Sequence, residues 1–170
     1  MLSKAQLQRA LLSIKEVPAG YAADQSGDDG SNDSYCGYKP PSQPTEKVRS
    51  DYVKGGGFSS QLISFSIGQY KSQDGPKGYL RDFAKQLRKC PSETLDGEFV
   101  KYAVMSAPQV GDETLGVRIE AESYTVVANL ARVGPVLMVV GGGGVTNTDA
   151  DEVGRLFVQQ VKKYLRAARN

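Results

Sequence analysis

Four strand-like segments follow one another closely between residues 98 and 141, and this succession constrains the fold more than any other feature. The segments cover about 98–106, 114–123, 124–133 and 135–141. In the second segment, Val117, Ile119 and Ala121 alternate with charged residues, which is typical of a half-buried strand. A parallel crossover needs a dozen or more residues, so links this short permit only hairpins. The segments therefore predict an antiparallel sheet whose last, fully apolar strand is central.

Three helices and one further strand complete the predicted order of elements. Apolar residues recur at helical spacing over 3–16, 75–90 and 149–168, and they alternate with serines over 58–70. Because strands and helices are not strictly alternating, the chain is expected to be an α+β domain. We predict a central antiparallel sheet of about five to six strands flanked by helices.

Residues 22–57 interrupt this regular pattern. They carry three prolines, a glycine triplet and the aspartates Asp24, Asp28, Asp29 and Asp33. We predict a long irregular connection with one short strand around Tyr35 and Cys36. The aspartates lack the spacing of an EF-hand, which favours a solvated acidic loop over the alternative of a calcium site. No repeat or linker divides the chain, so 1–170 is expected to be a single domain.

The lack of histidine excludes several kinds of chemistry. The 170 residues contain no His and only two Cys, so an imidazole base and the usual tetrahedral zinc site are excluded. The formal net charge of +2 is too balanced for a dedicated nucleic-acid binder, and no nucleic-acid partner is expected. Basic clusters at 77–89 and 155–169 are interpreted as solvated helix faces, with binding to an anionic lipid or polymer as the alternative.

Motifs for nucleotide binding and nucleophilic catalysis do not occur in the sequence. The run Gly141–Gly144 is not followed by Gly-Lys-Ser/Thr, and we interpret it as a bend leading into the last helix. No nucleophile elbow is present, and a Ser-His triad is impossible. A carboxylate pair assembled in space stays open, and its candidates are Glu98, Glu113, Glu120 and Glu122. We predict a protein that is not an enzyme and that uses no cofactor and no metal.

The two cysteines, Cys36 and Cys90, favour a disulfide. They have no C-x-x-C spacing, and no histidine is available to complete a metal site. A bond between them would attach the irregular segment to the predicted helix 75–90, and it would imply an oxidising compartment. Two buried free thiols in a cytosolic protein are the alternative.

Four short segments, distributed in order over nearly the whole chain, form a recognisable series. They are Leu11-Leu12-Ser13 with Val17-Pro18-Ala19-Gly20-Tyr21, then Leu87-Arg88-Lys89-Cys90-Pro91, then Gly111–Arg118, and last Ala131-Arg132-Val133-Gly134. The series resembles the landmarks of actinobacterial extracytoplasmic sensor domains. That family includes cell-surface lipoproteins and the extracellular domain of mycobacterial PknH-type serine/threonine kinases. The resemblance implies a Mog1/PsbP-like fold, export from the cytoplasm and a non-catalytic role.

Three hypotheses for the function follow. The first is a non-catalytic, extracellular ligand-sensing or adaptor domain of a cell-surface lipoprotein or receptor. Its partner would be an unknown small-molecule or cell-envelope ligand, and it would meet the membrane only through an anchor missing from this chain, as the export signal also is. The second is a carrier lipoprotein that holds an apolar or envelope-derived small molecule between sheet and helix. The third is a secreted hydrolase that depends on two carboxylates.

A ligand site is expected where the glycine-rich and irregular segments meet the sheet, because loops on a rigid scaffold often carry binding residues. The candidates are Tyr35, Tyr38 and Tyr52 in the irregular segment and Arg118 on the sheet. All four combine an apolar body with a polar tip that can orient a ligand. Ordinary surface residues are the alternative interpretation.

Overall fold

A computed structural model of the protein describes residues 1–24, 35–145 and 149–169. The helices are α1 (Lys4–Ala10), α2 (Asp74–Lys89) and α3 (Ala150–Ala167). The strands are β1 (Ala22–Ala23), β2 (Glu46–Lys54), β3 (Gln61–Gln69), β4 (Ser92–Leu95), β5 (Glu98–Met105), β6 (Glu113–Glu120), β7 (Thr125–Val133) and β8 (Val136–Gly144). Within these ranges, no helix is both long enough and apolar enough to cross a membrane.

All eight strands form one sheet in the order β1-β2-β3-β8-β7-β6-β5-β4, and every neighbouring pair is antiparallel. The predicted α+β class and the antiparallel sheet are therefore confirmed. The sheet has more strands than the five to six expected. The additional ones are β2 and the short edge strands β1 and β4.

The prediction that 22–57 is an irregular connection with one short strand around Tyr35 and Cys36 is wrong, because this segment contains the nine-residue strand β2. Its inward side chains Val48 and Tyr52 are buried, but the intervening residues are polar on both faces, which conceals the alternation. The short strand expected around Tyr35 and Cys36 is a single turn of 3₁₀ helix, Tyr35–Gly37. Asp28, Asp29 and Asp33 lie outside the described residues.

The first helix is shorter than the predicted 3–16. Its N-cap is Ser3, whose hydroxyl accepts from the Gln6 N–H, and the helix ends at Ala10. Leu11 and Leu12 continue as extended, buried chain. Side chains of α3 provide the hydrogen bonds that further helical turns would have made, as described below, so the extended path leaves the buried backbone groups paired.

The run Gly141–Gly144 does not form the predicted bend. It is the end of β8, and it pairs with β3 on one side and β7 on the other. At Gly143 an added Cβ would lie 3.1 Å from Cγ2 of Val126, which shows how closely the strands are packed. At Gly141 the nearest atoms would be at 3.8 Å, an ordinary contact, so the tight packing is specific to Gly143.

Two hydrophobic cores lie on opposite faces of the sheet. Helices α1 and α3 cover one face, with α3 over β7 and β8, whereas α2 covers the other face over β5, β6 and β7. The central strand β8 contributes Met138 and Val140 to the first core and Leu137 to the second, as its fully apolar sequence predicts. The α3 face continues past α3 onto β5 and β6, where Phe99 and Met105 are exposed. This partly uncovered face bears the candidate site.

Candidate ligand site

A cleft of about 410 Å³ separates the N-terminal half of α3 from β6 and β7, and we call it the α3 cleft. Its apolar lining includes Met105, Pro108 and Val127. Its polar lining includes Asn129 on β7 and, on α3, Asp151 and Arg155. This volume is within the range of small-molecule sites in proteins.

Two glycines make room for the α3 cleft. Gly116 lies opposite Asn129 in the sheet, and Gly154 lies on the facing side of α3. A side chain at Gly116 would bring its Cβ to 2.9 Å from the carbonyl oxygens of both Met105 and Ser106. The chain that leaves β5 can therefore cross β6 only because position 116 has no side chain.

Asn129 is the most unusual residue in the cleft. Its side chain is on the same face of β7 as the buried Val127, and it is only 5% exposed. Within residues 1–24, 35–145 and 149–169, no protein group forms a hydrogen bond with the Asn129 side chain. Its amide atoms are not sealed in the core but open into the cleft. A molecule in the cleft can therefore reach this amide and bond to it.

The rim of the cleft carries opposite charges. Asp151 and Arg155 are four residues apart on α3, and both are exposed. They do not pair with each other or with another charged group in the described part of the chain. Both charged groups are thus available to a ligand at the mouth of the cleft.

Tyr35 and Tyr38, predicted as ligand residues, lie on the α2 face, opposite the cleft. The ring of Tyr35 packs edge-on against Tyr102, with 5.7 Å between centroids. The Tyr38 hydroxyl donates to the carbonyl of Tyr79 at 3.3 Å, and its ring packs against Phe83. Burial, with smaller contributions from neighbouring groups, raises the pKa of Tyr38 above its ordinary value. Tyr38 therefore helps to fix the turn onto α2, and Tyr35 fixes it onto β5.

Tyr52 and Arg118 are on the α3 face, but they are not neighbours. Tyr52 is buried, and its hydroxyl donates to the Leu12 carbonyl at 2.8 Å. Arg118 pairs with Glu120 and lies two residues from Gly116 on β6, next to the cleft. The structure therefore does not bring the four predicted residues together. Ligand binding by any of them stays a prediction.

The predicted disulfide between Cys36 and Cys90 is confirmed, with 6.0 Å between the Cα atoms. The Glu93 carboxylate accepts from the Cys36 backbone N–H at 2.6 Å and from the Tyr102 hydroxyl. The Gln86 side chain donates to the Cys36 carbonyl at 2.7 Å. Because the sulfurs are bonded to each other, the cluster with Glu93 is a structural anchor for the turn.

The candidate carboxylates of the hydrolase hypothesis have separate partners. Glu120 pairs with Arg118, and Glu113 pairs with Arg132. Glu98 accepts from the Ser123 hydroxyl at 2.8 Å. These three carboxylates make polar contacts at the protein surface, and none of them lines the α3 cleft.

Asn129 was missed by sequence reasoning, although the sequence holds a signal. It is the only polar residue in the run 126–131, Val-Val-Ala-Asn-Leu-Ala, which otherwise reads as a buried strand. A single amide in such a run marks a position where burial needs a partner. The rim residues gave no comparable signal, because charges on the outer face of a helix are ordinary.

Comparison with known proteins assigns the architecture. The extracellular domain of PknH from Mycobacterium tuberculosis superposes with a TM-score of 0.64 and 14% sequence identity, over 95% of this chain and 97% of that one. The chain has the fold of that PknH domain. A putative uncharacterized protein (Rv0999 ortholog) from Mycobacterium smegmatis gives a TM-score of 0.43 at 11% identity, over 86% of this chain and 77% of that one. No known family profile and no curated protein matches the sequence.

Proposed function

We propose that this chain is a non-catalytic, extracytoplasmic sensing domain that binds a small ligand in the α3 cleft. The likeness in fold to the PknH extracellular domain supports a role outside the cytoplasm. The disulfide between Cys36 and Cys90 agrees with it, because disulfides persist mainly in oxidising compartments. A lipid or transmembrane anchor would hold the domain at the cell surface.

The observation that carries the proposal is the unpaired amide of Asn129 within the cleft. Its 5% exposure places it among the core residues, but the described chain offers it no hydrogen bond. A molecule bound in the cleft would be able to pair with this amide, whereas an apolar side chain at position 129 would offer no such bond.

The position of the cleft suggests how binding would be transmitted. One end of α3 lines the cleft, and further along the helix Gln160 and Lys163 hold the backbone of residues 10–12. A ligand held between α3 and the sheet would favour one placement of α3 over others. The N-terminal segment would follow, because it is hydrogen-bonded to the same helix.

The carrier hypothesis expects a ligand between sheet and helix, which is where the cleft lies. A long apolar molecule would nevertheless leave the Asn129 amide unpaired and would desolvate Asp151 and Arg155. The polar lining therefore favours a small polar ligand over a lipid.

The proposal is tested by screening a small-molecule library for thermal stabilisation and by mapping each hit with amide NMR. Hits should perturb the resonances of Gly116, Asn129 and Gly154. The Asn129→Leu substitution should weaken the binding affinity of each hit by roughly tenfold or more. The matched control is Gln159→Leu on the exposed side of α3, which should leave affinity unchanged. A screen in which no compound perturbs cleft resonances, or in which Asn129→Leu has no effect, would refute the proposal.

A further inference from the structure

We infer that the α3 cleft binds a short peptide with both ends free, of about two residues. This inference rests on the proposed function and names the ligand class of the same site. Asn129 would pair with the peptide amide, Arg155 with the terminal carboxylate and Asp151 with the terminal ammonium group. Within the described residues, these three side chains form no hydrogen bond or ion pair with another protein group.

The buried part of the site specifies a neutral group that both donates and accepts. The Asn129 side chain offers a carbonyl oxygen and an NH₂ group, and the natural complement of this pair is another amide. The residues directly opposite Asn129 in the sheet, Gly116 and Val140, are uncharged. The charged neighbour on the same face, Arg118, is already paired with Glu120. An uncharged amide is therefore the ligand group that best complements Asn129.

The rim carries two opposite charges on one side of α3. Asp151 and Arg155 are four residues apart, so their backbone positions are about 6 Å apart along the helix axis. Extended peptide spans roughly 3.3–3.6 Å per residue, so the two charged ends of a dipeptide are about 7 Å apart. The two charges of a single amino acid are much closer together. The spacing thus fits a dipeptide better than an amino acid.

The remaining walls suit small apolar side chains. Met105, Pro108 and Val127 supply apolar surface, and the glycines at 116 and 154 leave space beside the backbone. Phosphate and other multiply charged anions fit poorly, because Arg155 would be their only cationic partner in the lining and Asp151 would repel them. Purely apolar molecules would leave Asn129 unpaired.

The test measures binding of alanyl-alanine by calorimetry and amide NMR, beside its N-acetylated and C-amidated forms and free alanine. Alanyl-alanine should bind the wild-type cleft, and each blocked form should bind roughly fivefold more weakly or worse. Asn129→Leu should weaken all the peptides by about tenfold or more.

Two rim variants make the assignment specific. Arg155→Gln should weaken alanyl-alanine but not its C-amidated form, and Asp151→Asn should weaken alanyl-alanine but not its N-acetylated form. Arg166→Gln, on an exposed part of α3 outside the cleft, is the matched control and should change neither affinity. Circular dichroism of each variant confirms that it is folded.

The outcomes separate this inference from the proposed function. If peptides leave the cleft resonances unchanged while another compound binds there and needs Asn129, the peptide class is wrong and the sensing function stands. If no compound of any class perturbs the cleft, both are wrong. If peptides bind but the rim variants and Asn129→Leu leave affinity unchanged, the assignment of these residues is wrong.

Discussion

Gln160 on α3 is fully buried, and its side-chain amide pairs two backbone groups of the segment that follows α1. Its Oε1 accepts from the Leu12 N–H at 2.9 Å, and its Nε2 donates to the Ala10 carbonyl at 2.8 Å. Gln160→Leu would leave both groups unpaired in the core, and we expect it to lower the free energy of unfolding by about 2–4 kcal/mol. Urea denaturation measures this loss. The neighbouring and exposed Gln159→Leu should change it by less than about 0.5 kcal/mol, and equal losses in both variants would contradict the argument.

Glu16 forms an ion pair with Lys163 of α3, at 2.6 Å, and this contact depends on pH. Burial acts to raise the pKa of Glu16, but hydrogen bonds from Lys163 and Ser13 outweigh it and lower the pKa below the ordinary value of 4.5. A carboxyl whose pKa is lower in the folded state stabilises the fold above its unfolded pKa, and this contribution is lost as the pH falls through the folded value. The stabilising effect of Glu16 should therefore disappear in acid.

Lys163→Met tests this pH dependence. The variant should be less stable than wild type at pH 7, with roughly 1 kcal/mol or less from the exposed ion pair. The difference should shrink as the pH falls below 4.5 and through the lower folded-state pKa of Glu16, because the carboxylate is then protonated. It should not vanish, because Lys163 also donates to the Leu11 carbonyl at 2.7 Å, and that bond does not depend on the carboxyl. Urea denaturation at three pH values gives the comparison, and a constant difference would refute it.

At the scale of single elements, Gly154 is a glycine in the interior of α3 that packing does not require. An added Cβ would be 3.5 Å from Cγ of Pro108, which is an ordinary contact. Gly154→Ala should therefore raise the free energy of unfolding by about 0.5–1 kcal/mol through helix propensity. Gly116→Ala is the contrasting variant, since its Cβ would lie 2.9 Å from two carbonyl oxygens and should destabilise by roughly 1–3 kcal/mol. Thermal unfolding of both variants tests this. Melting temperatures that shift in the same direction from wild type would contradict the prediction.

Elements whose apolar residues follow one clear period could be predicted from the sequence. α2 was expected at 75–90 and lies at Asp74–Lys89, and α3 was expected at 149–168 and lies at Ala150–Ala167. β2 was missed because its neighbours in the sheet, and not its own composition, hold it in place. α1 was overextended because Leu11 and Leu12 fit a helical face equally well, and only the side chains of α3 decide their extended path.

The candidate site was less predictable than the fold. The residues proposed from the sequence were chosen by type, and the structure places Tyr35 and Tyr38 on the face opposite Tyr52 and Arg118. What distinguishes Asn129 is the lack of a partner in the folded chain, which is a property of tertiary packing. Sequence alone shows the polar residue but not whether a neighbour satisfies it.

At the scale of the whole molecule, the disulfide restricts the freedom of the segment before β2. It joins positions 54 residues apart, and chain entropy assigns such a closure roughly 4 kcal/mol before strain and residual structure are considered. The double variant Cys36→Ser/Cys90→Ser should therefore be about 2–4 kcal/mol less stable in urea than the oxidised wild type. Adding reductant should destabilise the wild type to the same degree and leave the variant unchanged. A wild type that does not respond to complete reduction would contradict the prediction.

The pairing of β3 with β8 also determines when the protein can fold. This central contact joins Gln61 to Gly144 and Gln69 to Val136, so it closes a long stretch of chain. Contacts so distant in sequence slow folding, and sheets dominated by them typically form in milliseconds to seconds. Because the chain is synthesised from its N-terminus, α2 and the hairpins from β4 to β7 can form early. The middle of the sheet stays open until β8 has been synthesised. Cys36 and Cys90 both precede β5, so their oxidation can fix the turn at residues 35–37 against the end of α2 before the two halves of the sheet join.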